Sequence, residues 1–248
     1  MPDSFDDDAP DEVAVLVPAA GEGRRLGGPR KQFRTLGDRP LLVQVLLQFE
    51  RHPAVGHLVV AVPADYVTEV SDRLRAEGLT ALSAVVSGGD TRESSVRHAL
   101  RAAPASVEIV LVHDAVRPFV QRQEIAAVVE ATREHGAAAP ALPVADTLRH
   151  ATDDTFGDTV PRDGLYRMQT PQGFRRAWLE DAHRAAAEAA PEGGPTATDD
   201  VGLVQRTGRD VRLVRGRRRN FKITTPGDWQ LAQDLWAGRA RAADGASS

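Results

Sequence analysis

Five short apolar runs, residues 13–17, 58–62, 84–87, 109–113 and 137–144, alternate with helix-like segments at 41–51, 67–77, 94–102 and 124–134. A strand followed by a helix before the next strand returns to its sheet through a crossover, which leaves neighbouring strands parallel. The alternation therefore selects an α/β fold with a mostly parallel sheet. In such sheets ligands collect at the carboxyl ends of the strands. Small and polar residues gather at those ends here: Pro18-Ala19-Ala20-Gly21, Gly88-Gly89-Asp90 and His113-Asp114.

The first of these loops continues as Glu22-Gly23-Arg24-Arg25-Leu26-Gly27-Gly28-Pro29-Arg30-Lys31. Glycines let backbone N–H groups approach phosphate oxygens without obstruction by Cβ atoms. The clustered arginines and lysine supply the positive charge that a triphosphate needs. The loop lacks the Gly-Lys-Ser/Thr of a Walker A sequence and is not a Gly-x-Gly-x-x-Gly fingerprint. A glycine turn alone is a weak signal; combined with cations it favours a nucleotide over a plain turn.

Two further loops extend this pattern. In Gly88-Gly89-Asp90-Thr91-Arg92-Glu93-Ser94-Ser95, Asp90 or Ser95 can hydrogen-bond a base or sugar, while Asp90 or Thr91 can equally cap a helix. Asp114, at the end of an apolar run, is either a cap or, opposite a triphosphate, a contact to Mg²⁺ or its waters. His113 is expected to pack against its strand rather than act in catalysis. The seven histidines show no metal-ligand spacing, and no Ser-His-Asp grouping stands out.

Residues 146–168 break the alternation. They are polar, with β-like pieces near Thr159-Val160 and Leu165-Tyr166, and Asp163-Gly164 signals a turn. A projecting hairpin arm is expected. A helix over 175–190 follows, then a loop, a short helix at 199–207, and late strands at 211–214 and 221–223. Thr225-Pro226 opens a final helix. The basic run Arg215-Gly216-Arg217-Arg218-Arg219 precedes Lys222, which is expected on a strand and pointing at the site.

The chain has 248 residues, a net charge of −4 and no cysteine. Disulfides, thiolate metal sites and a cysteine nucleophile are thereby excluded, and a cytoplasmic location is expected. Asp3, Asp6, Asp7, Asp8, Asp11 and Glu12 precede the first strand without an offsetting cation, so the remainder carries +2. We expect residues 1–12 to be a disordered acidic tail, 13–238 to form one domain, and 239–248 to be a disordered end. A nearly neutral body with few aromatics disfavours nucleic acid. No apolar stretch reaches membrane-spanning length.

The sequence resembles the 2-C-methyl-D-erythritol 4-phosphate cytidylyltransferases. The resemblance is carried by Pro18-Ala19-Ala20-Gly21 with Arg24-Arg25, Lys31-Gln32-Phe33, and Gly88-Gly89-Asp90-Thr91-Arg92 with Ser95. It continues through Val112-His113-Asp114-Ala115-Val116-Arg117-Pro118, Asp146-Thr147, Arg162-Asp163-Gly164-Leu165 and Gln169-Thr170-Pro171-Gln172. Thr198-Asp199-Asp200 and Asn220-Phe221-Lys222-Ile223-Thr224 complete it. Two positions depart from the family pattern. Arg30 separates Pro29 from Lys31 where Pro-Lys-Gln is usual, and Val116 replaces an alanine. Lys31 is taken as the equivalent lysine because Gln32-Phe33 follows it; Arg30 is the alternative.

The resemblance implies a Rossmann-like nucleotidyltransferase sheet in a single domain, with the arm serving dimerisation. It implies CMP transfer from CTP to methylerythritol phosphate beside Mg²⁺ or another divalent cation, with release of pyrophosphate. Arg25 and Lys31 would be catalytic. Ala19, Ala20, Gly21, Gly89, Asp90, Ser95 and Asp114 would hold CTP, and Arg162 with Lys222 would orient the acceptor phosphate. Arg117, Thr147 and Thr170 are further substrate-site candidates. A homodimer is expected in which Arg117 or Thr147 is borrowed from the neighbour. Ribitol 5-phosphate is the rival acceptor, and a non-catalytic nucleotide-binding regulator is the rival class.

Overall fold

The computed structural model describes residues 13–21, 30–189 and 199–245. The first half runs β1 (Val13–Pro18), β2 (Thr35–Leu36), β3 (Arg39–Pro40), α1 (Leu41–Glu50), β4 (Val55–Val62), α2 (Val67–Ala76), β5 (Leu82–Ser87), α3 (Arg92–Ala102) and β6 (Ile109–Val112). Then come α4 (Arg122–His135), β7 (Ala137–Pro143), β8 (Leu148–Thr152), β9 (Thr155–Val160), β10 (Tyr166–Met168) and β11 (Gln172–Arg175). The chain closes with α5 (Arg176–Ala189), α6 (Asp200–Arg206), β12 (Arg212–Arg215) and α7 (Pro226–Gly245).

β6, β1, β4 and β5 pair in parallel. β10 and β11 lie end to end along β7, and both run antiparallel to it. β11 also pairs antiparallel with β6, and β12 adds in parallel on the other side of β7. One antiparallel line thus interrupts an otherwise parallel sheet. β1, an interior strand between β6 and β4, is completely buried from Val13 to Val17. Burial on both faces explains its unbroken apolar run, where a half-exposed strand would alternate.

Helices cover both faces. Leu46 and Phe49 of α1, Leu74 of α2 and Ile125 of α4 pack on one side with Val15 and Leu111. Val96 of α3, Leu179 of α5 and Val204 of α6 pack on the other with Leu16 and Val112. A smaller cluster joins Val116, Phe119, Ile223 and Ala232 of α7. Gly173 on β11 lies so close to α4 that a Cβ would strike Thr132 and Val128. No described helix is long and apolar enough to cross a membrane.

Several expectations are corrected. The arm is a hairpin of β8 and β9, but its tip is Asp153-Asp154, both with positive φ, rather than Asp163-Gly164. Two adjacent left-handed residues match the right-handed twist of a hairpin, and aspartate tolerates that region. Asp163-Gly164 instead turns β9 into β10, which finds its partner in β7. The start of the helix expected over 175–190 belongs to β11, because a four-residue strand carries too little pattern to separate from the helix after it. Residues 221–223 form no strand. The domain does not end at Gly238: α7 runs to Gly245, and the Arg239 guanidinium lies 4.9 Å from the Phe119 ring centre. The tail expected at 1–12 lies outside the described residues.

Candidate active site

A cleft of about 830 Å³ opens at the carboxyl ends of β1, β4, β5 and β6. Its walls come from Ala19, Ala20 and Gly21, from Gly88 to Thr91 with Ser95, and from Asp114 to Val116; Arg30, Lys31, Arg92 and Lys222 supply its cations. Each wall is held by its own fold. Buried Gln32 donates through Nε2 to Ala19 O at 2.7 Å and Gly21 O at 3.1 Å, shaping the first loop. At the second loop, Ser95 Oγ accepts from Gly89 N at 3.1 Å and donates to Thr91 O at 2.9 Å. A Cβ on Gly88 would collide with Ala20 and Ser95, so the first two loops meet where only glycine fits. Thr91, and not Asp90, caps α3 by accepting from Ser94 N.

Asp114 is the electrostatic centre of the site. Its Oδ2 lies 3.0 Å from Lys222 Nζ and 3.2 Å from Arg117 Nε, and its Oδ1 lies 3.4 Å from Arg92 Nε. Burial alone would raise the Asp114 carboxyl, but the charges of Lys222, Arg92 and Arg117 outweigh it and hold it well below the usual carboxylate range. Backbone Asp114 N donates to Thr170 Oγ1 at 3.1 Å. His113 is fully buried, edge-on to Phe49, with Nε2 at 3.1 Å from Arg117 O. Burial lowers its pKa to about 4, so it is neutral and structural.

Lys222 sits on a loop that the rest of the structure staples down. Asn220, wholly buried, donates through Nδ2 to Thr170 O at 2.8 Å and Glu124 Oε1 at 3.3 Å. Its carbonyl accepts from Arg117 Nη1 at 2.8 Å and Gln169 Nε2 at 2.9 Å. Ile223 N bonds Val116 O, and Lys31 Nζ reaches Ile223 O at 3.4 Å. Arg30 is engaged elsewhere, on Ala20 O at 3.0 Å and over the Tyr66 ring.

Among the described residues no three His, Asp or Glu side chains converge as a metal cage. Asp114 already answers three cations. These residues do not fit a resident divalent ion held by protein ligands alone.

The family model described as IspD: 2-C-methyl-D-erythritol 4-phosphate cytidylyltransferase matches residues 13–237. The chain belongs to this family. A 2-C-methyl-D-erythritol 4-phosphate cytidylyltransferase of Salinibacter ruber is 65% identical over 225 residues, covering 90% of this chain and 92% of the relative. One from Deinococcus radiodurans is 46% identical over 223 residues, covering 90% and 89%. The crystal structure of the Thermus thermophilus cytidylyltransferase superposes with a TM-score of 0.74 at 39% identity, covering 91% of this chain and 99% of that one.

The expected site residues that the structure describes divide into three groups. Ala19, Ala20, Gly21, Gly89, Asp90, Ser95, Asp114, Lys31 and Lys222 all line the cleft. Arg117 and Thr170 lie buried beneath it, bonded to Asp114. Arg162 and Thr147 are exposed on the arm and do not line the cleft; Arg162 Nη1 bonds Ala145 O. The expected convergence of Arg162 with Lys222 is therefore not made within one chain, because the arm projects away from the sheet. Arg25 lies outside the described residues. Sequence reasoning passed over Gln32, Arg92, Asn220 and Gln169 as individuals, although all four stand inside its motifs.

Proposed function

We propose that this cytidylyltransferase moves CMP from CTP to 2-C-methyl-D-erythritol 4-phosphate. The observation that carries the reading is a cleft with backbone walls at three strand ends, beside which Lys222 meets Asp114 and Lys31 meets the Ile223 carbonyl. An oxygen of the acceptor phosphate attacks the α-phosphorus of CTP. A new P–O bond forms as the bond to the leaving oxygen breaks, and that electron pair departs with pyrophosphate. The acceptor phosphate is already a competent nucleophile, so no covalent enzyme intermediate is required. The protein positions both phosphates and stabilises charge that grows on the α-phosphate and leaving group.

Ala19, Ala20, Gly21, Gly89, Asp90 and Ser95 hold the nucleotide in this reading. Lys31, with Arg25, faces the phosphates that react, and Lys222 faces the acceptor phosphate. A divalent cation enters bound to the triphosphate, as part of the substrate, and supplies charge neutralisation there. A homodimer places one chain's arm, with Arg162 and Thr147, against a second chain; Phe156, 80% exposed on β9, supports an arm that docks. The cysteine-free composition suits the cytoplasm. Neither nucleic acid nor membrane enters this reading.

A coupled pyrophosphate-release assay with CTP tests it. Turnover with methylerythritol phosphate and not with ribitol 5-phosphate is expected. The reverse preference would assign the rival acceptor, and CTP binding without pyrophosphate release from either would make the chain a regulator.

A further inference from the structure

The carboxylate of Asp200 is completely buried at the start of α6, outside the cleft lining. Its neighbour Asp199 has an ordinary role. There Oδ1 accepts from Gly202 N at 3.0 Å to cap the helix, and Oδ2 accepts from Gln172 Nε2. Asp200 does neither. Its Oδ2 accepts from Arg92 Nη1 at 2.6 Å, while its Oδ1 has no hydrogen-bond partner. His183 Nε2 is 3.8 Å away, and burial lowers that imidazole to about 4, so it brings no positive charge at neutral pH. Arg92 is thus the cation that answers Asp200.

A buried ion pair is a poor source of stability, since an apolar side chain of similar volume commonly packs as well or better. The position makes more sense by what it does to Arg92. That guanidinium bridges two carboxylates, held at 2.6 Å by Asp200 and at 3.4 Å by Asp114 Oδ1. The shorter contact draws it back from Asp114. Asp114 Oδ2 then serves Lys222 at 3.0 Å and Arg117 at 3.2 Å.

We propose that Asp200 is a positioning residue for cytidylyl transfer, acting through Arg92 to set Asp114 and, through Asp114, the Lys222 ammonium. The inference rests on the functional reading above. Without the Asp200 Oδ2 acceptor, Arg92 collapses onto Asp114 and competes with Lys222 for it. Nucleotide binding by the backbone walls is little affected, whereas alignment at the reacting phosphates is lost.

The test compares Asp200→Asn, Arg92→Lys and the double variant with Val204→Ala, a buried α6 residue outside the cleft lining. Asp200→Asn should lower kcat by about 10- to 100-fold, the range for a misplaced reacting group, with the KM for CTP changed less than about threefold. Arg92→Lys keeps the charge but loses the fork that spans both carboxylates, and should match that loss. The double variant should be no slower than the slower single one, because both break one relay. Val204→Ala should lower Tm and keep kcat within about twofold.

Normal kcat in Asp200→Asn overturns the proposal. So does a Val204→Ala enzyme whose kcat falls along with its Tm. If Asp200→Asn does not fold, normal kcat in Arg92→Lys overturns it alone. Wild-type protein inactive with both polyol phosphates would refute the functional reading instead. The relay is then judged by NMR: the Arg92 Nε–H signal should be resolved and slow to exchange in wild type and averaged in Asp200→Asn. An unchanged signal refutes the relay.

Discussion

Lys222 Nζ lies 3.0 Å from Asp114 Oδ2, joining the loop after β12 to the carboxyl end of β6. Arg218 belongs to the same basic run and is exposed, with no part in the cleft lining. Lys222→Ala should therefore raise the KM for the acceptor and lower kcat/KM by about 10²-fold, the order seen on losing one preorganised donor. CTP affinity should change little, and Arg218→Ala should change neither. Equal effects at the two positions, read by steady-state kinetics, would remove Lys222 from the acceptor site.

Arg30 and Lys31 compete for the role of the phosphate-facing cation. Arg30 is committed to Ala20 O and the Tyr66 face, whereas Lys31 reaches across to Ile223 O. Lys31→Ala should lower kcat about 10²- to 10³-fold with little change in CTP binding. Arg30→Ala should chiefly loosen the loop and raise the KM for CTP. Single-turnover kinetics beside calorimetric CTP binding separate these outcomes, and the opposite pattern would exchange the two residues.

Three buried histidines, His52, His113 and His183, weaken the fold on the acid side, because burial lowers each of them. Burial lowers both His113 and His183 from 6.5 to about 4. Between those values the unfolded chain takes up protons that the folded chain refuses, so stability falls as pH falls. Each contributes up to about 1.4 kcal/mol per pH unit. Urea midpoints should drop from pH 6.5 toward pH 4, and His183→Asn should flatten that slope. An unchanged slope would show that His183 is protonated in the fold.

The arm offers Phe156 at 80% exposure, and β10 at its base offers Tyr166 at 45%. Phe156→Asp should convert a dimer to a monomer in sedimentation velocity, without loss of helical circular dichroism. A wild-type monomer at micromolar concentration would refute the homodimer.

Much of this site can be read from the chain because its backbone walls are written locally. Glycines and small residues directly after apolar runs mark Ala19 to Gly21 and Gly88 to Asp90 as strand-end loops. What escapes depends on contacts far apart in sequence. Arg92 meets Asp200 across 108 residues, and Arg117 meets the Asn220 carbonyl across 103. No periodicity encodes such pairs. The strand expected at 221–223 fails for a related reason. Phe221 and Ile223 are apolar because they pack toward Phe119, Val116 and α7, and the Ile223 N–H follows that packing by donating to Val116 O. Arg162 pairs with Lys222 by motif alone, and a motif does not say which chain of an assembly an arm serves.

Lys31 leans on the carbonyl of Ile223, and Ile223 is the next residue to Lys222. In the function proposed above, the entering and departing sides of the phosphorus are thus tied to one short span of main chain, itself clamped by Asn220. A small molecule wedged beneath that span would disarm both sides of the displacement at once. It would do so without resembling a nucleotide and without competing with CTP for its walls.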